Sequence, residues 1–217
     1  VSYFLYPKNK LPVKEVQKFI LIFYVVGVVG FLLPWTQNLF VTITPLALLL
    51  GTYLLAIYHT PYTKKTLFSF AFIFLAGFFL EVVGVNTGKI FGSYAYGSGL
   101  GFKLWNTPLL IGVNWLFLTY TSISVVTLFL KKEVLIVLSA SSLMLVYDLF
   151  LEQVAPKMDM WSFTDLNVPL DNYLAWFVFA SLFITLLRVV KVNTKNPVAP
   201  VLFLVQLVFF IFLSFFL

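Results

Sequence analysis

Four carboxylic acids stand where acids are costly. Glu81, Asp148, Glu152 and Asp171 lie within or at the ends of long apolar runs. Asp148 and Glu152 are spaced i, i+4, so on a helix they share one face. Two like charges that close in a low dielectric cannot both ionise cheaply, and one keeps its proton. A carboxylic acid held protonated in apolar surroundings donates a proton, and an ionised neighbour orients water or stabilises a cation. Glu81 precedes Gly84 and Gly88, whose missing side chains let backbones approach closely. Acids inside a membrane mark function by default. Asp171 stands directly before a helical run and also reads as its N-cap. Glu15 and Glu133, beside lysines, read as solvated surface residues.

The elements that must position these groups are apolar. The 217-residue chain is 61% hydrophobic and 10% charged, with a mean hydropathy of +1.01. A soluble domain is about 45–50% apolar and about 25% charged. The expected fold is therefore an all-α integral membrane protein, one transmembrane domain over residues 1–217 with about seven spans. The runs are Phe19–Leu33, Leu39–Tyr58, Leu67–Val85, Pro108–Leu130, Val134–Leu151, Tyr173–Val190 and Val198–Leu217, each near the length of a helical span. The first run sits behind four lysines in the manner of a signal peptide, but it lacks a small-residue cleavage site and reads as helix. Two longer connections, about 84–107 and 152–172, are the candidates for functional loops.

Basic residues fix the orientation. Taken alternately, 11 lie at one end of the spans (Lys8, Lys10, Lys14, Lys18, Lys64, Lys65, Lys131, Lys132, Arg188, Lys191, Lys195) and 3 at the other (Lys89, Lys103, Lys157). The positive-inside bias sets the N-terminus in the cytoplasm. The net charge of +6 thus reports membrane orientation and not nucleic-acid binding. All four embedded acids fall at the outer end. The absence of cysteine excludes disulfides, thiolate metal sites and cysteine nucleophiles. His59 is the sole histidine, which argues against di-iron and bis-histidine haem chemistry. It reads as an interface residue, and Trp35, Trp105, Trp161 and Trp176 fit an aromatic belt.

Two blocks carry a resemblance. The first is Glu81-Val-Val-Gly84-Val-Asn-Thr87-Gly88-Lys-Ile-Phe91-Gly92-Ser-Tyr94-Ala-Tyr96, followed by Leu100-Gly101 and the Pro108–Trp115 segment that contains Asn114. The second is Asp148-Leu-Phe-Leu-Glu152, Trp161, then Val168-Pro169-Leu-Asp-Asn172-Tyr-Leu-Ala-Trp176-Phe177. Together they resemble the carotenoid biosynthesis membrane protein family, which includes CruF-type carotenoid 1,2-hydratases and bisanhydrobacterioruberin hydratases. The match covers about residues 77–180. The chain departs from the family pattern at Glu152-Gln153, where Asp-Pro is usual, at Ser93 and Ala95, where arginine is usual, and at Asn167 and Ala175, where glycine is usual.

The resemblance implies addition of water to the terminal C1=C2 bond of an acyclic carotenoid, giving a tertiary alcohol. That chemistry needs an acid, a shielded cation and one ordered water, and no metal or other cofactor. Asp148 or Glu152 would donate the proton, the other would position or deprotonate water, and Glu81 would stabilise positive charge or hold the second member of the relay. Tyr94, Tyr96, Trp115, Trp161 and Trp176 would line the end-group pocket, where ring faces attract cations. Asn114 and Asn172 would hold water. The implied partners are a polyene and the lipid bilayer of a bacterial or archaeal cytoplasmic membrane. A carotenoid cyclase would begin with the same protonation. A proton-coupled transporter would also use embedded acids, but no internal repeat is visible and the acids are one-sided. A retinal protein is excluded, because Val198–Leu217 contains no lysine.

Overall fold

The computed structural model describes residues 11–165 and 167–217. Lys8 and Lys10 of the basic tally lie outside them. Among the described residues there are seven α-helices: α1 Val13–Leu32, α2 Pro34–Tyr58, α3 Lys64–Thr87, α4 Leu110–Val126, α5 Glu133–Val154, α6 Leu170–Val189 and α7 Ala199–Phe216. All except α4 are long and apolar enough to cross a membrane. The all-α bundle expected from the apolar runs is the observed architecture. Its outer surface carries exposed Val25, Phe68, Val134, Val178 and Val208, the side chains a lipid-facing surface requires.

Helix boundaries follow local chemistry. Pro34 starts α2 at once after the single extended residue Leu33, because the first helical position needs no N–H. The second helix therefore begins five residues earlier than the apolar run suggests. Thr63 caps α3 by accepting from the Thr66 N–H at 3.1 Å. Gly88 closes the same helix at φ 66°, a left-handed conformation that glycine adopts freely.

The 17-residue α4 is the shortest helix, and it is enclosed by the others. It packs against α2, α3, α5, α6 and α7. Every side chain from Phe117 to Val126 is buried. Thr121 and Ser122 turn back on the carbonyls of Phe117 and Thr119 at 2.7 and 3.2 Å, Ser124 reaches the Thr194 carbonyl at 2.9 Å, and Thr119 Oγ1 has no partner among the described residues.

The two long connections, at the end opposite most of the basic residues, contain short strands that helical periodicity did not foresee. Strand β1 Tyr94–Tyr96 pairs antiparallel with β4 Trp161–Phe163, in the register Tyr94 to Phe163 and Tyr96 to Trp161. Alternation along a strand buries Tyr94, Tyr96, Trp161 and Phe163 together. A second hairpin, β2 Lys103–Leu104 with β3 Thr107–Pro108, turns through Trp105 and Asn106, both at positive φ. Its Trp105 ring lies over Phe78 and Phe79 of α3.

Candidate active site

Glu81, Asp148 and Glu152 are 3%, 0% and 6% exposed and belong to one hydrogen-bonded cluster. Glu81 on α3 accepts three bonds: Tyr94 OH at 2.5 Å and Tyr96 OH at 2.7 Å on Oε2, and Trp115 Nε1 at 3.0 Å on Oε1. Burial, and then the nearby Glu81 carboxylate, push the Tyr94 and Tyr96 hydroxyls up from the usual phenol range, so both remain donors. Glu152 on α5 accepts from Trp161 Nε1 at 2.8 Å and from Asn172 Nδ2 at 3.2 Å. The same Asn172 nitrogen donates to Asp148 Oδ2 at 3.1 Å. Asn172, the third residue of α6, thus ties the i, i+4 pair together. Asp148 Oδ1 has no hydrogen-bond partner among the described residues.

Two glycines on α3 make this approach possible. Gly77 and Gly84 flank Glu81 at i−4 and i+3, on its own face. A Cβ on Gly77 would stand 2.7 Å from Trp115 Cγ, and one on Gly84 would stand 2.6 Å from Phe91 Cδ2 and 3.0 Å from the Tyr94 hydroxyl. The rings that donate to Glu81 therefore pass over bare backbone. Gly77→Ala should displace Trp115, cost about 1–3 kcal/mol, and lower the melting temperature in detergent; an unchanged melting temperature would contradict this packing.

Two cavities lie next to each other at this end of the bundle. A small one, about 10 Å³, is bordered by Glu81, Glu152, Tyr94, Tyr96, Asn172 and Trp176. That is roughly the space one water needs. A larger one, about 380 Å³, is lined almost wholly by apolar side chains of α1, α2, α4, α5 and α7. Ile111 and Trp161 border both. The larger cavity is also lined by Val26 of α1 and by Ile43 and Leu46 of α2, which face outward. It therefore opens between these two helices toward the lipid side. Asp148 borders neither cavity and sits behind Glu152.

The aromatic residues form the walls. Trp115 stacks on Trp176 with centroids 4.2 Å apart and planes 21° apart. Tyr96 meets Trp161 edge-on at 6.0 Å. Trp161 and Trp176 are thus buried site residues and not membrane-belt anchors, whereas Trp35 and Trp105 are exposed. Asn114 lines the larger cavity and does not border the smaller one, where a water-holding role would place it. Asp171 is exposed and stands apart from the cluster; it does not cap α6, whose N-cap is Pro169. His59, at the end of α2, is buried, with Nδ1 2.9 Å from Tyr120 OH. Glu133 bridges to Arg188 across α5 and α6 at 2.6 Å. Tyr147, Ile111 and Gln206 line the larger cavity and were not singled out in the sequence. Gln206 had a signal, as the only amide in the last apolar run.

The β1–β4 ribbon lies over the cluster and is latched by Asp159. Its carboxylate accepts from the Ser98 N–H at 2.8 Å and from the Ser98 hydroxyl. These bonds hold the Asp159 carboxyl below the usual carboxylate range. A depressed folded pKa contributes stability above the unfolded value of about 3.9, lost as pH falls through the folded one. Protection of residues 94–98 and 159–163 against hydrogen exchange, relative to the intrinsic rate at each pH, should therefore fall below about pH 4. In Asp159→Ala it should be low already at neutral pH. Equal exchange in variant and wild type would remove the latch.

A family model described as "Carotenoid biosynthesis protein" matches residues 43–217, from α2 to the last residue and including every member of the cluster. The chain belongs to that family. The matched stretch is wider than the two blocks in which the resemblance was visible, since it takes in most of α2 and all of α7. Within this carotenoid biosynthesis protein, α1 is the helix outside the match. Searches of curated proteins and of solved structures found no match.

Proposed function

We propose that the protein is a carotenoid hydratase. Family membership supports a role in carotenoid biosynthesis. The observation that supports the finer reading is a water-sized, carboxylate-lined chamber that shares Ile111 and Trp161 as a wall with a larger apolar cavity. The polyene enters from the bilayer between α1 and α2, and its terminal double bond reaches Glu152. Glu152 gives its proton to C2, and the π electrons form the new C–H bond. The tertiary cation at C1 lies among the rings of Tyr96, Trp161 and Trp176. Glu81, which accepts three hydrogen bonds, is the group assigned to balance the charge. Water in the chamber adds its oxygen to C1 and returns a proton to Glu152. Atoms and charge balance, and no electrons are exchanged with an outside reagent.

Asp148 is a positioning residue in this scheme, acting on Glu152 through Asn172. Asp148→Asn retains an acceptor for Asn172, so its rate should fall about tenfold, well short of the loss expected for a catalytic acid. Its pH–rate profile should also move, which a purely structural role would not produce. A profile identical to wild type would remove Asp148 from the mechanism. We place the protein in a bacterial or archaeal cytoplasmic membrane, basic end inward, following the charge bias. Expression in a lycopene-producing host tests the function itself. The pigment should gain the mass of one water per modified end. A cyclised pigment of unchanged mass would instead identify a cyclase.

A further inference from the structure

The end of the bundle opposite the acid cluster holds a further cavity. It lies between the start of α5 and the end of α6, an open groove of about 690 Å³. Val134, Val137 and Leu138 of α5 form an apolar floor, and Arg188, Lys191 and Glu133 stand at the rim. Val134 and Leu138 are exposed, so the floor faces the lipid side. From Glu133 to Leu138 the helix advances about 7.5 Å, and the groove is thus charged at its mouth and apolar below. Arg188 Nε and Nη2 hold the Glu133 carboxylate at 2.7 and 2.6 Å, and the other guanidinium N–H groups stay available. Lys131 and Lys132 precede Glu133 and are exposed. Lys131, Lys132, Arg188 and Lys191 therefore outnumber the one acid at this mouth.

The backbone at Lys191 is strained. It stands just past α6 at φ 58°. Its N–H bonds to the Arg188 carbonyl at 3.1 Å, and the Val192 N–H bonds to the Leu187 carbonyl at 2.9 Å. This is the pairing of a helix end that glycine usually completes. A lysine in that conformation carries a steric cost that glycine avoids, and it pairs with no acid among the described residues in return.

We propose that the groove binds a phospholipid with an anionic head group, its phosphate against Arg188 and Lys191 and an acyl chain on Val134 and Leu138. Basic pockets between membrane helices suit such head groups. A free phosphate would leave the apolar floor uncovered, and a zwitterionic lipid brings a cation of its own toward Lys191. The bound lipid spans α5 and α6, the helices that supply Asp148, Glu152 and Asn172 at the far end. It joins the Glu133–Arg188 bridge in clamping that pair. The site stands independently of the reaction carried out at the cluster.

Full-length protein, stripped of lipid in a neutral detergent, is titrated with phosphatidylglycerol or with phosphatidylcholine of the same chains. Bound lipids are counted by native mass spectrometry. The first phosphatidylglycerol should bind about tenfold more tightly than the first phosphatidylcholine. Lys191→Gly should bring that ratio below about threefold. The same variant, free of lipid, should melt about 2 °C higher, because glycine relieves the backbone. Lys191→Asn, which also tolerates this conformation, serves where glycine gives no folded protein. Lys14→Gln removes an exposed lysine at the same end on α1, which packs on α2 and α7, and should leave the ratio unchanged. No preference in wild-type protein, or a preference that Lys191→Gly leaves intact, overturns the proposal. A preference lost equally in Lys14→Gln overturns it too, because the charge of the whole end then suffices. Displacement of the lipid by glycerol 3-phosphate at equal concentration does the same, since the head group alone would then be the ligand. A dimer that Lys191→Gly dissolves, with no lipid adduct, would make the groove a contact between copies and sink the lipid site.

Discussion

Glu152→Gln should abolish the gain of water in a lycopene-producing host and lower the rate of the purified protein by about 10²–10⁴-fold, the range for loss of a positioned acid. Glutamine changes the side-chain volume little and keeps an oxygen for one of the two donors, Trp161 Nε1 at 2.8 Å and Asn172 Nδ2 at 3.2 Å; its NH₂ faces the other, at a cost of about 1–3 kcal/mol of stability. What it removes is the transferable proton at the one carboxyl that borders the small chamber and also shares a partner with Asp148. Protein that folds, retains polyene and no longer hydrates it is the expected result. A variant with wild-type turnover would remove Glu152 from the chemistry.

Glu81→Gln should fail in a different way. The three groups around Glu81 all donate, and a tryptophan N–H can do nothing else. A glutamine there can keep its oxygen on Trp115 Nε1 and turn its NH₂ toward the two tyrosine hydroxyls, which also accept. The charge-assisted bonds become neutral ones, at an expected cost of about 1 kcal/mol of stability, read as a lower melting temperature. The anion facing the developing cation also disappears, and electrostatic groups of this kind contribute about 10²–10³ in rate. Tyr96→Phe removes a single donor and leaves the charge, so it should retain most of the activity. Equal activity in Glu81→Gln and wild type would mean that Glu81 only holds the ribbon in place.

The helices were legible because a membrane leaves the backbone few choices, and runs such as Leu67–Val85 had to be helical. The acid pair was legible because i, i+4 spacing on a helix dictates a shared face. The ends of the helices were less so. Pro34 starts α2 where the sequence turns from apolar to mixed, and the hydropathy of Asn38 and its neighbours hides the continuation. The strands Tyr94–Tyr96 and Trp161–Phe163 were not visible, since three residues are too few for a period and their pairing joins segments far apart in the chain. For the same reason nothing in the sequence showed that Trp161 faces Glu152, or that Tyr94 and Tyr96 face Glu81. The separation of Asn114 from the small chamber depends on side-chain packing around Ile111, which spacing does not encode. Gln206 was readable as an oddity in an apolar helix, but its place in the larger cavity needed the α5–α7 contacts.

The central claim is that one carboxyl proton and one water add across a terminal olefin. Purified protein supplied with lycopene in deuterium oxide enriched in heavy oxygen tests it directly. The account predicts a tertiary alcohol whose oxygen is the heavy isotope from water, with one deuterium on the adjacent carbon. Oxygen derived from dioxygen, or a deuterated product that has gained no oxygen, would contradict it.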